Sequence, residues 1–154
     1  MGAKSGRQVA ALPMRLTDNG DSQVLLVTSR ETRRWIIPKG WPMKGLKDHR
    51  AAAIEAEEEA GLKGRMLKNA VGQYTYWRRT KRDFRLTSVH VFLLCVEGRL
   101  ERWKEIGQRE MRWVAWQDVA TIVQEPELVS LIEAVAARPD IRAILDRRRE
   151  MNPR

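Results

Sequence analysis

The sequence predicts a single-domain α/β protein, in which short β-strands are interleaved with α-helices. Two observations lead to this class. The 154 residues have the length of one domain, and 43% of them are hydrophobic, which is enough for a core. Short β-branched and aromatic segments also alternate with segments rich in Ala, Glu or Leu. We expect one domain over 1–154, with a core of about 7–137 and a basic helix or tail over 138–154.

The elements follow from local signals along the chain. Turn residues such as Asn19-Gly20 separate the first two strands, and Pro38 ends the third. The Ala- and Glu-rich helix has Asp48 as its expected N-cap and Gly61 as its stop. Strands are expected over 8–16, 24–27, 35–37, 65–77, 84–96 and 111–116, and helices over 47–60, 117–123, 128–137 and 139–149.

Composition excludes several classes of protein. The single cysteine, Cys95, rules out a disulfide framework and a cysteine-based zinc site. Two histidines are too few for a histidine-rich metal site, so an expected metal is Mg²⁺ or Mn²⁺ held by carboxylates. The N-terminus lacks the apolar stretch of a signal peptide, and no segment approaches the ~20 apolar residues of a membrane helix. We therefore expect a cytoplasmic protein without a membrane partner.

The charge balance indicates a polyanionic partner. The chain has 29 Lys and Arg against 20 Asp and Glu, a net charge of +9, and its isoelectric point is about 10.3. Such an excess is typical of proteins that bind nucleotides, polyphosphates or nucleic acids, although it also simply aids solubility. We expect an anionic phosphorylated small molecule as the substrate, with nucleic acid as the less favoured partner.

Three carboxylates share one face of the first predicted helix. At about 100° per residue, Glu58 and Glu59 lie within about 60° of Glu55, whereas Glu57 points away. Clustered carboxylates repel one another unless a cation neutralises them. The pattern is compatible with a solvated acidic face and with a divalent-metal site.

The same stretch resembles the Nudix box of the Nudix hydrolases, which reads Gly, five residues, Glu, seven residues, then Arg-Glu-apolar-any-Glu-Glu-any-Gly-apolar. Gly40 occupies the first place, and 55–62 match the final cluster from its first glutamate onward. Two positions depart from the pattern: Leu46 replaces the glutamate and Ile54 replaces the arginine. In the family that arginine is thought to orient the metal-binding glutamates, so the resemblance implies a weakened supporting shell and reduced activity.

The segments around the box are similar to those of diphosphoinositol polyphosphate phosphohydrolases and diadenosine polyphosphate hydrolases, at 28–30, 34–38 and 103–113. The resemblance implies a Nudix fold, a mixed β-sheet sandwiched between helices. It also implies that Glu55, Glu59 and the Gly40 carbonyl hold Mg²⁺ or Mn²⁺, with Glu58 as general base or further ligand and Glu105 as a second candidate base. Substrate-binding cations implied by the family fold are Arg7, Arg34, Lys39, Lys44, Arg85 and Arg109.

The implied activity is metal-dependent hydrolysis of a phosphoanhydride in a highly anionic small molecule. Diphosphoinositol or diadenosine polyphosphates are favoured, and other nucleoside diphosphate derivatives remain open. The alternatives are an RNA 5′ pyrophosphohydrolase and a catalytically weakened protein that binds polyphosphate or nucleic acid. The oligomeric state is left open between monomer and homodimer.

Overall fold

The computed structural model describes residues 6–151, which form a mixed β-sheet with helices on both faces. The strands within this range are β1 Arg7–Leu16, β2 Ser22–Thr28, β3 Trp35–Ile36, β4 Lys39–Gly40, β5 Leu62–Met66, β6 Gly72–Arg79, β7 Phe84–Arg99 and β8 Met111–Ala115. The α-helices are α1 Asp48–Ala60, α2 Val119–Ile122, α3 Pro126–Ala136 and α4 Pro139–Met151.

The centre of the sheet is a parallel pair, β1 and β7, in register from Arg7 opposite Ser88 to Met14 opposite Cys95. Strands β2 and β4 pair antiparallel with β1, and β3 and β8 pair antiparallel with β2. Because successive side chains of a strand point to opposite faces, each central strand contributes to two cores. One core lies against α3 and α4, and the other lies against α1. This confirms the expected mixed sheet between helices.

The single strand expected over 65–77 is wrong. The structure contains two strands there, β5 and β6, which pair antiparallel with different stretches of the same edge of β7. The chain leaves the sheet briefly around Lys68 and Asn69, where both residues are exposed. A pattern of alternating residues cannot show this break, because both halves are suited to strand and the long partner strand decides where each one pairs.

Helix α1 lacks a side-chain cap at its N-terminus and has a glycine cap at its C-terminus. The expected N-cap was Asp48, but the structure has Lys47 at that position, without a side-chain cap. Asp48 instead begins the helix and forms an ion pair with Arg7 of β1. At the other end Gly61 adopts a φ of 66°, the left-handed conformation that glycine accepts without strain, and its N–H bonds back to the helix.

The C-terminal segment is helical and packs on the sheet. Helix α4 buries Ile141 and Leu145 in the core that also contains α3. The last residues of the expected basic tail, 152–154, lie outside the described residues. Within 6–151, none of the helices has both the length and the apolar character that crossing a membrane requires.

Candidate active site

The carboxylate face predicted for α1 is present, and it points toward β4. Glu59 is 4% exposed, and its Oε1 has no hydrogen-bond partner. Glu55 lies beside it, close enough for each carboxyl to perturb the pKa of the other. Glu58 is more accessible, with 32% of its side chain exposed. The helix therefore holds two adjacent carboxyls, Glu59 buried and Glu55 partly buried, with a third carboxylate at its rim.

Having charges on both Glu55 and Glu59 at once is electrostatically unfavourable, because the two carboxyls are adjacent and shielded from water. Burial is the main cause that raises the pKa of Glu59, to about 8, and Arg109 opposes this increase. Burial likewise raises the pKa of Glu55, and the charges of Glu58 and Glu105 add to the increase. Without a further cation, the pair therefore retains a proton at neutral pH.

Gly40 makes room for the Glu55 carboxyl. A Cβ atom at position 40 would lie 2.3 Å from the carboxyl carbon of Glu55, closer than any side chain tolerates. The neighbouring residue, Lys39, faces the other side of β4, where its Nζ lies 3.1 Å from the Tyr76 hydroxyl. Position 40 therefore brings a backbone segment against the carboxylates, as its place in the box implies.

A buried arginine from the loop between β7 and β8 contacts the carboxylates. Arg109 has only 9% of its side chain exposed. Its Nε donates to Glu105 Oε1 at 3.0 Å and its Nη1 to the Thr28 carbonyl at 3.0 Å. Its Nη2 lies 3.8 Å from Glu59 Oε1. The guanidinium thus connects the loop, β2 and the helix.

The same loop is fastened to the end of α1 by backbone hydrogen bonds. The N–H of Glu105 donates to the Glu58 carbonyl at 2.9 Å, and the N–H of Leu100 donates to the Gly61 carbonyl at 2.7 Å. The ring of Trp103 covers Gly61, where a Cβ atom would lie 2.3 Å from it. These contacts place the Glu105 side chain, 14% exposed, beside the helix carboxylates.

The residues present fit a hard divalent cation in their donor chemistry. The side chains that meet here are carboxylates, which are ligands that Mg²⁺ and Mn²⁺ prefer, and the Gly40 carbonyl is a further donor that the box resemblance implies. The unpartnered Glu59 Oε1 is a buried acceptor that a cation would satisfy. Glu58 Oε1 is turned toward Lys104 Nζ, 3.7 Å away. Within residues 6–151, no group of three or more Asp, Glu, His or Cys side chains is arranged to hold a metal ion.

The expected substrate-binding cations are spread around this site rather than gathered in it. Arg7 pairs with Asp48 at the start of α1, and Arg85 lies 3.7 Å from Asp83. Lys44 is exposed in the loop before α1. The remaining members of the set are Arg34 and Lys39, whose charges oppose the rise in the pKa of Glu125 that burial causes, and Arg109, described above.

One charged residue at the site and one beside Lys39, on the other side of β4, were not singled out from the sequence. Lys104 contacts Glu58, although its position next to Glu105 offered a signal. Glu125 precedes α3, and burial raises its pKa while Lys39 and Arg34 oppose that increase. Both residues come from segments far from the box, so their proximity depends on the fold.

The chain belongs to the Nudix family. The family model of the NUDIX domain matches residues 6–135. Nudix hydrolase 4 of Arabidopsis thaliana is 31% identical over 112 residues, which are 73% of this chain and 53% of that protein. The diphosphoinositol polyphosphate phosphohydrolase 3-alpha of Mus musculus is 31% identical over 111 residues, 70% of this chain and 63% of that protein. The chain spans only 53% to 66% of the lengths of the first such relatives.

Solved structures share the fold. The Ap4A hydrolase of C. elegans superposes with a TM-score of 0.62 at 18% identity, covering 86% of this chain and 97% of that one. The NUDIX domain of Shewanella oneidensis NrtR, solved with ADP ribose, has a TM-score of 0.57 at 16% identity and covers 84% of each chain. These likenesses confirm the Nudix architecture expected from the box.

Proposed function

We propose that this protein hydrolyses a phosphoanhydride bond in a highly anionic small molecule, with Mg²⁺ or Mn²⁺ as its cofactor. The observation that carries the proposal is the closeness of the buried Glu59 and the partly buried Glu55, beside Gly40, because a divalent cation would stabilise two adjacent charged carboxylates. The names of the mouse and C. elegans proteins suggest diphosphoinositol polyphosphates and diadenosine polyphosphates as the leading substrates.

In this proposal Glu55, Glu59 and the Gly40 carbonyl hold the metal. The metal supplies charge compensation for the phosphates and lowers the pKa of a bound water. The protein supplies the position of each carboxylate, because α1 fixes the spacing and Arg109 supports Glu59 from the loop. The support from Arg109 is important in this chain because position 54, where the Nudix box has an arginine, is an uncharged isoleucine.

The candidate general bases differ in their surroundings. Glu105 is held by Arg109 at 3.0 Å and is 14% exposed, so its carboxylate is committed to an ion pair. Glu58 is 32% exposed, and its contact with Lys104 is longer, at 3.7 Å. We therefore assign the base to Glu58, because it reaches solvent and is free to rotate toward a water molecule.

The anionic substrate requires cations outside the helix. Lys39 and Arg34 approach Glu125, and Lys44 is exposed in the loop that follows Gly40. Their charges suit the phosphates of a polyphosphate chain. Arg109 is buried among carboxylates and contributes by positioning them.

A phosphate-release screen tests the proposal. Nucleoside triphosphates, diadenosine polyphosphates and inositol pyrophosphates are each incubated with Mg²⁺ and with Mn²⁺. We expect turnover of one of the last two classes, reduced about a hundredfold or more in Glu58→Gln. The exposed neighbour variant Glu57→Gln is the matched control and should retain activity. Tight substrate binding without turnover under any metal would favour the non-catalytic alternative.

A further inference from the structure

The end of the β6–β7 hairpin, residues 77–86, exposes three large apolar side chains. Trp77 is 65% exposed, Phe84 is 61% exposed and Leu86 is 55% exposed. In the register of the hairpin Trp77 lies opposite Leu86, and Arg79 lies opposite Phe84. Opposed residues, and residues two apart, share one face of a hairpin, so the three side chains form one exposed surface.

The same hairpin end is strongly basic. It has one acidic residue, Asp83, which lies 3.7 Å from Arg85 and accepts a hydrogen bond from Thr80. The guanidinium of Arg78 lies over the Trp41 ring, 5.0 Å from its centroid. No acidic side chain of residues 6–151 forms an ion pair with the hairpin's other cations, which are Arg79, Lys81 and Arg82.

We propose that this face of the hairpin binds single-stranded nucleic acid. Aromatic rings beside unpaired cations suit a chain that offers a flat base and a phosphate at each step. Trp77 and Phe84 are diagonal neighbours, which lie about 7–8 Å apart, with their Cβ atoms somewhat closer. This spacing is about twice the van der Waals separation of stacked rings, so it admits one base between the two side chains.

Two other occupants suit the surface less well. Insertion into an anionic bilayer requires apolar side chains at the leading end, but the turn between the strands is 80–83, Thr-Lys-Arg-Asp, and is polar. A second copy of this chain would bring two sets of the same cations together, which is unfavourable. A nucleic-acid strand satisfies both the rings and the charges.

The opposite face of the hairpin, to which Arg78 belongs, contacts the segment that follows Gly40. Trp41, on which Arg78 stacks, directly follows Gly40. The inference does not depend on the proposed hydrolase activity, since binding at the hairpin is measured without turnover.

Fluorescence anisotropy tests the proposal with labelled 12-nucleotide oligoadenylate, as RNA and as DNA, and with a duplex of the same length, in 150 mM KCl. We expect both single strands to bind more tightly than the duplex. Trp77→Ser should raise the Kd about tenfold, because one stacking partner is lost. Ile106→Ser, which changes an exposed side chain outside the hairpin, is the matched control and should leave the Kd unchanged.

Charge reversal separates stacking from general attraction. Lys81→Glu with Arg82→Glu should make the negative slope of log K against log salt shallower by about 1.4, which corresponds to the loss of two phosphate contacts. Lys63→Glu with Lys68→Glu changes the net charge equally at exposed positions of 62–68 and is the control. An equal loss of binding in both pairs would show an attraction spread over the whole surface and overturn the proposal.

Three further results would also overturn it: no binding of single strands in 150 mM KCl, binding unaffected by Trp77→Ser, or tighter binding to phosphatidylserine vesicles than to the oligonucleotides. A dimer that Trp77→Ser converts to monomers would assign the surface to a second copy instead. Thermal unfolding checks that each variant folds. Hydrolysis of the small substrate, measured in parallel, should be unchanged in Trp77→Ser, which separates this proposal from the proposed function.

Discussion

The guanidinium of Arg109 lies 3.8 Å from Glu59 Oε1, although 50 residues separate the two in the chain. Both side chains are nearly buried, so the attraction between them is only weakly screened by solvent. Arg109, a cation from the loop, therefore supports a carboxylate of α1. The helix itself has no cation at position 54, where the Nudix box has an arginine. The relationship explains how the carboxylates remain ordered in a chain with isoleucine at this place.

The first prediction concerns this support. Arg109→Gln should lower kcat about tenfold or more, because the carboxylates lose their buried cation. Ile54→Arg should restore part of the loss in the Arg109→Gln background, since the new side chain lies one turn from Glu58. Steady-state kinetics on the best substrate gives the result. A raised KM with unchanged kcat would instead assign Arg109 to substrate binding.

The second prediction concerns the metal. Glu59→Gln removes one ligand charge while keeping the shape of the side chain, so it should weaken Mn²⁺ and Mg²⁺ binding at least tenfold. Calorimetric titration measures the affinity. Glu57→Gln, an exposed substitution on the same helix, should bind the metal as the wild type does. Equal affinities in the two variants would contradict the assignment of Glu59 as a ligand.

The third prediction concerns the space left by Gly40. In Gly40→Ala, the new methyl group would lie 2.3 Å from the Glu55 carboxyl carbon, so that side chain has to rotate away. Because only the end of a flexible side chain moves, we expect a small change in melting temperature and a large loss of metal affinity. The two are measured by thermal unfolding without metal and by calorimetry. A fully retained affinity would place the metal elsewhere.

The fourth prediction concerns Glu125. Burial raises the pKa of this carboxyl in the folded protein above its ordinary value, with Lys39 and Arg34 opposing the shift. Folding therefore favours the protonated form, and the corresponding stability is lost as pH rises through the folded pKa. Glu125→Gln should be more stable than the wild type at pH 7, and the difference should shrink toward pH 4. Urea unfolding at both values gives the comparison, and a difference independent of pH would refute it.

Much of the site could be predicted because the residues of α1 are close in sequence. The helical repeat fixed Glu55, Glu58 and Glu59 on one face, and Gly61 marked the helix end. The contact of Arg109 with Glu59 could not be predicted in the same way, since it depends on how a loop is docked. The exposure of Trp77 could not be predicted either, because it depends on how far the β6–β7 hairpin extends beyond β1, which begins opposite Ser88.

The attachment of the 100–106 loop to α1 has a consequence for how such chains diverge. The attachment consists of main-chain hydrogen bonds from Leu100 and Glu105, together with one ring on Gly61. Main-chain atoms are the same in every residue except proline, so mutations in the other side chains of the loop leave the anchor intact. The loop can therefore acquire new surface chemistry during evolution while Glu105 stays in place.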